Sequence, residues 1–198
     1  MIIWELSCVL SALIIGIDLI SHPQKMRIMD SVWIINALWG GVLILLMYYV
    51  YGRQGKQRNR YEALSLNTLH CGAGCTLADI LGMMIGFFLP MSMGVQFIVC
   101  YILALIIGVF FQYSAQREMN NSICFKELAI KSLSADFWSL TAWQIGMLVG
   151  QWIFTPFLLG QTKVEQIFIM QIAMMIGFVF AYPMNAYLVK KHIKMLMH

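Results

Sequence analysis

Of 198 residues, 61% are hydrophobic and only 11% charged, where soluble domains carry roughly a quarter charged residues. With a mean hydropathy of +0.77, the chain has more apolar surface than a water-soluble fold of this length can hide. The apolar excess rules out a disordered chain, and five cysteines are too few and too uneven for a secreted disulfide scaffold.

A membrane helix needs about 20 mostly apolar residues. Six runs qualify in chain order: Ile2–Ile20, Ser31–Tyr51, Leu69–Leu89, Val95–Ala115, Leu133–Leu159 and Gln166–Val189. The runs are continuous rather than alternating, which excludes barrel strands. The first lacks a basic leader, since the first cationic side chain is Lys25. It therefore reads as a retained helix rather than a cleaved signal. The expected fold is an all-α, polytopic transmembrane bundle of about six spans. Residues 1–51 form an N-terminal helix pair, 52–68 a basic loop, and 69–198 a four-helix core.

Six crossings would put both termini on the side of Arg53, Lys56, Arg58, Arg60, Arg117, Lys126, Lys131, Lys190, Lys191 and Lys194. Lys25, Arg27 and Lys163 would face the other side. Ten cations against three predict both termini in the cytoplasm. The cluster at Arg53–Arg60 directly follows a span, so topology explains it and nucleic acid is not expected as a partner. The expected surroundings are the lipid bilayer, with a homo-oligomer or a membrane partner left open.

Ionisable groups inside apolar runs mark function in membrane proteins. The third run opens Leu69-His70-Cys71-Gly72-Ala73-Gly74-Cys75-Thr76-Leu77-Ala78-Asp79. On a helix Cys71, Cys75 and Asp79 fall on one face, with His70 one step round. Thiolate and imidazole are the ligand set for Cu(I) or Zn(II), and a carboxylate would join zinc or orient the histidine. Two further readings stand beside this one. The cysteines could be small packing residues, or a redox dithiol, although a Cys-x3-Cys pair on a rigid helix fits disulfide geometry poorly. Asp136, near the start of the fifth run, either completes this site or is a helix N-terminal carboxylate stabilised by the dipole and Lys131. The candidate metal set is thus His70, Cys71, Cys75, Asp79 and Asp136.

A second candidate cluster is expected on the outer side, from Asp18, His22, Met26 and Met29, with Met91 and Met93 across the third loop. Thioethers select Cu(I), so these residues could form an entrance feeding the inner site. The competing reading is that Met fills gaps in an apolar chain. Haem is not favoured, because His22 and His70 are expected on opposite sides and cannot both ligate one iron. No phosphate loop, His-Glu-x-x-His helix or G-x-S-x-G turn occurs.

Several blocks resemble a known family: His22-Pro23-Gln24 through Trp39, Leu69–Asp79, Lys131–Met147, and Met170 through Asn185 with Lys190. Together they resemble the prokaryotic integral membrane proteins grouped as domain of unknown function 4396. The resemblance implies a helical protein of a bacterial or archaeal cytoplasmic membrane, and it supplies no activity. It points to His70, Cys71, Cys75, Asp79 and Asp136 as site residues. Where Gln144 stands, the family pattern carries an acid, and that departure favours a soft, monovalent ion. The functional expectation is a protein that binds and handles or transports a soft metal ion, copper first and zinc second. The alternatives are a membrane thiol or cofactor oxidoreductase, and an assembly protein without ligand.

Overall fold

The computed structural model describes residues 1–53, 58–89, 91–119, 125–157 and 162–196. Among these residues six α-helices follow one another: α1 (Ile2–Ser21), α2 (Arg27–Met47, continued by a π turn, Tyr48–Gly52), α3 (Arg60–Phe88), α4 (Met93–Met119), α5 (Phe125–Phe154) and α6 (Lys163–Lys190). No strand occurs among the described residues. Among the described residues, five segments are long and apolar enough to cross a membrane: Ile2–Ser21, Arg27–Gly52, Arg60–Phe88, Gly94–Ser114 and Val164–Lys190. The 30-residue α5 packs mainly on α6 and also on α4.

The burial pattern is that of a membrane protein. On α1 the exposed stripe is Leu6, Val9, Leu10, Leu13, Ile17 and Ile20, while Cys8, Ser11, Ala12, Ile15 and Leu19 turn inward at helical spacing. Asn36, Asn67, Thr68, His70, Gln144 and Asn185 are buried with the core. Polar groups sit inside because the outer surface faces lipid, where they would find no partner.

Sequence and structure differ most at α2. A straight helix over Arg27–Gly52 would be about 39 Å long and would cross the membrane. Instead Gly41 takes φ +50°, ψ −129°, a conformation open to glycine and closed to residues with a Cβ. The tip at Gly41 lies against Ser7 and Cys8 of α1. From there the chain turns back. Tyr48 Oη donates to Asp18 Oδ2 at 2.7 Å, and Arg53 pairs with Asp18 Oδ1 at 3.0 Å. Asp18 lies ten residues beyond Cys8, about 15 Å along α1. A helix running on past Gly41 would carry Tyr48 away from Asp18, not to it. Residues 27–52 are therefore a re-entrant helical hairpin that enters and leaves at one end of the bundle.

The hairpin is held by its own packing and by its neighbours. Trp33 is fully buried, edge-on to Tyr48 and Tyr51, and a Cβ at Gly52 would collide with its ring. Asn36 Nδ2 donates to the Leu69 carbonyl of α3 at 2.8 Å. Near the tip, Gln171 of α6 donates to the Leu38 carbonyl at 3.0 Å and to Glu5 Oε2 at 2.8 Å. A half-helix that ends inside a membrane needs such donors for its free carbonyls.

Two expectations are corrected. With α2 returning to its own side, α1, α3, α4, α5 and α6 make five passes through the bundle, so Met1 and the C-terminal tail lie at opposite ends rather than together. The Asp18, His22, Met26 and Met29 cluster also shares an end with Arg53 and Arg58, through the Asp18–Arg53 pair and the Gln24–Arg58 bond. It lies opposite the loop that carries Met91, so these residues do not form one entrance. The side chains of Met93, Lys126, Lys131 and Lys163, and all of Lys56, lie outside the described residues. Asp18 is instead a clasp that holds the hairpin's exit to α1. Reporter tags on the two termini are expected to report opposite sides of the membrane. Tags on one side would contradict the hairpin.

Candidate functional site

The site begins at the chain's C-terminal end. Past α6, His192 adopts a left-handed conformation, φ +58°, which ends a helix in the manner usually left to glycine. The Ile193 N–H then donates back to the Leu188 carbonyl at 3.0 Å. Asn67 Nδ2 holds the Met195 carbonyl at 2.8 Å. Between these two anchors the tail turns inward and delivers the Lys194 side chain into the bundle.

There Lys194 Nζ lies 2.7 Å from Asp136 Oδ1 and 3.0 Å from Cys71 Sγ. Neither charged side chain is exposed: Lys194 is at 0% and Asp136 at 1%. Ser139 Oγ donates to Cys71 Sγ at 3.1 Å, and the thiol donates to Asp136 Oδ1 at 3.6 Å. Cys71 and Asp136 each lie eleven residues into their helices, about 16 Å along. Asp136 and Ser139 share a face of α5 at i, i+3. A Cβ at Gly72 would run into Trp143, so the glycine lets α3 and α5 approach closely enough for the sulfur and carboxylate to meet. Burial alone would lower the Lys194 pKa. The Asp136 carboxylate and the Cys71 sulfur outweigh it and raise the value above the ordinary 10.5.

The other predicted residues continue from this cluster in different directions. His70 turns to α4, edge-on to Phe111 with centroids 5.9 Å apart, and neither ring nitrogen has a hydrogen-bond partner among the described residues. Cys75 is buried one turn along α3. Asp79, a further turn on, lines with Cys100 of α4 the wall of a cleft of about 440 Å³ between α3, α4, α5 and α6. The cleft occupies the end of the bundle away from the C-terminal tail. Asp79 Oδ2 and Gln144 Nε2 on its wall have no hydrogen-bond partner among the described residues. Cys71, Cys75 and Asp79 thus trace one line along α3, from the Lys194 cluster to this cleft.

Among the described residues, no group of three or more His, Cys, Asp and Glu side chains is arranged to hold a metal ion. Cys8, Cys71, Cys75 and Cys100 are all free thiols. Sequence reasoning missed Lys194, which reads as one more cation in a basic tail. No local signal raises it, because its burial is set by contacts with Asp136 and Cys71, 58 and 123 positions away.

A protein-family model described as Domain of unknown function (DUF4396) matches residues 60–194. That span contains Cys71, Cys75, Asp79, Asp136 and, as its last residue, Lys194. No curated protein and no solved structure matches the chain.

Breaking a buried ion pair by removing one partner costs about 3–5 kcal/mol, because the other charge is stranded. Lys194→Met is expected to destabilise the protein by about that amount. Lys194→Met combined with Asp136→Asn should recover most of the loss. The folded-state pKa of Lys194 is raised, so its contribution is complete below the ordinary lysine value and fades only as pH rises through the raised one. Chemical denaturation in detergent between pH 6 and 9 should therefore give a constant single-variant loss. A double variant no better than the single would contradict the pairing.

Proposed function

Because the chain belongs to the DUF4396 family, whose description names no function, we propose one from the site itself: the protein passes a small monovalent cation across the membrane, and that cation exchanges with the Lys194 ammonium at Asp136 and Cys71. One observation carries this reading. A cation already occupies the interior of the bundle, tethered to a tail and gripped by a carboxylate and a sulfur. An unpaired Asp136 would be costly in so dry a place. Lys194 can neutralise it whenever the carried ion is absent, and a tail anchored by a few hydrogen bonds can withdraw when the ion arrives. Asp136 Oδ2 is unpartnered among the described residues and is available to the incoming ion. Cys75 and Asp79 continue the polar line to the cleft at the other end.

A soft metal ion is the inorganic form of this reading. The sulfurs of Cys71 and Cys75 favour Cu(I), with Zn(II) a poorer match to a site where the ion replaces a single positive charge. Orientation follows from charge. Lys25, Arg27, Arg53, Arg58, Arg60, Arg117, Lys190, Lys191 and Lys194 gather at the tail's end of the bundle, and Lys163 starts α6 at the other. By the positive-inside rule the tail faces the cytoplasm and the cleft faces outward. The membrane is that of a bacterial or archaeal cell.

The test is equilibrium binding to the purified full-length chain, with reduced Cu(I), potassium and methylammonium as separate probes. Lys194→Ala frees Asp136 and should raise affinity for at least one probe by about tenfold, the equivalent of 1.4 kcal/mol. Adding Asp136→Asn should erase the gain. A Lys194→Ala protein that stays folded and binds all three no better than wild type would remove the exchange reading.

A further inference from the structure

We propose that the outward cleft is a binding site for a small organic ammonium ion. The inference rests on the cation reading above and names a substrate class for it.

Size comes first. A water molecule takes up about 30 Å³ of liquid, whereas the cleft measures about 440 Å³. A bare metal ion would leave most of that space to solvent, while small-molecule pockets begin at about 300 Å³. The charge of the lining comes next. Asp79 is its single ionisable carboxylate among the described residues, which matches one positive charge. Gln96, Gln144, Gln151 and Gln166 add neutral donors and acceptors, and Phe97, Leu148 and Ile169 add apolar wall for a carbon skeleton. That mixture of one charge, several amides and a hydrophobic wall is how proteins hold small polar organic molecules.

Two unsatisfied groups point the same way. Asp79 and Gln144 are each 3% exposed, and Asp79 Oδ2 and Gln144 Nε2 lack partners among the described residues. Buried polar atoms are normally paired, so two orphans on one wall call for a ligand. An ammonium donates to the carboxylate oxygen, and a ligand oxygen would accept from Gln144. Sulfur is present, but part of it is engaged: Gln151 Nε2 donates to Met170 Sδ at 3.4 Å. The lysine end-group accepted at Asp136 is itself an alkylammonium. The cleft and the inner cluster would thus recognise the same chemical group at the two ends of one line.

The experiment is calorimetric titration of the full chain in detergent with n-butylammonium chloride, using n-butanol as the neutral isostere and potassium chloride as the bare ion. Butylammonium should bind saturably, with butanol and potassium about tenfold weaker or more. Asp79→Asn should weaken it about tenfold, Asp79→Glu should retain it, and Gln144→Ala should weaken it severalfold. Absence of saturable butylammonium binding, equal binding of butanol or potassium, or binding undiminished in a folded Asp79→Asn would each overturn the proposal. So would tighter binding of Cu(I) that is lost in Asp79→Asn. If the cleft fails while Lys194→Ala still gains affinity that Asp136→Asn erases, exchange at the inner cluster stands and only the cleft assignment falls.

Discussion

A lysine ammonium and an aspartate carboxylate meet inside this bundle with neither exposed, and much of the molecule is arranged around that pair. Bringing them together needs a helix that ends in a left-handed residue, a tail tied back by Asn67, and a glycine at position 72 that admits α5. Buried ion pairs are poor sources of stability, because apolar residues of the same volume often serve as well or better. Its presence in a chain with only 11% charged residues is better explained by use than by stability. If the tail withdraws, as the proposed exchange requires, Asp136 is left for another cation.

The re-entrant hairpin serves the same end. Its two half-helices place Asn36 on the Leu69 carbonyl, directly before His70 and Cys71, and bring Asn36 to the surface of Gly72. The hairpin therefore packs on α3 beside the inner cluster, which α3, α5 and the C-terminal tail build between them. Non-helical backbone at membrane depth is tolerated where protein buries it, and Gly40 and Gly41 are both buried. The Asp18–Arg53–Tyr48 clasp and the Gln171–Leu38 bond fix the two ends of this support.

How much was legible in the sequence depended on the kind of signal. Helix content and a membrane setting followed from apolar runs, which are local and long. The α3 face of Cys71, Cys75 and Asp79 followed from helical arithmetic, and the structure keeps all three buried. The hairpin was hidden because both of its arms are apolar, so Ser31–Tyr51 reads as one span. Gly40-Gly41 carries the reversal, and paired glycines in membrane helices more often mark close packing. Lys194 was hidden for a different reason. Its burial is set by contacts with residues 58 and 123 positions away, which no local pattern records. His70 shows the converse: adjacency to Cys71 suggested a shared site, but one residue step turns a helix side chain by about 100°, and the ring faces Phe111.

Flux through a membrane tests the central claim most directly. Full-length protein in sealed liposomes should carry methylammonium or Cu(I) inward, saturably and above empty liposomes, and Asp136→Asn of equal folded content should abolish it. Uptake no faster than empty liposomes for both ions, or uptake that Asp136→Asn leaves unchanged, would contradict the account.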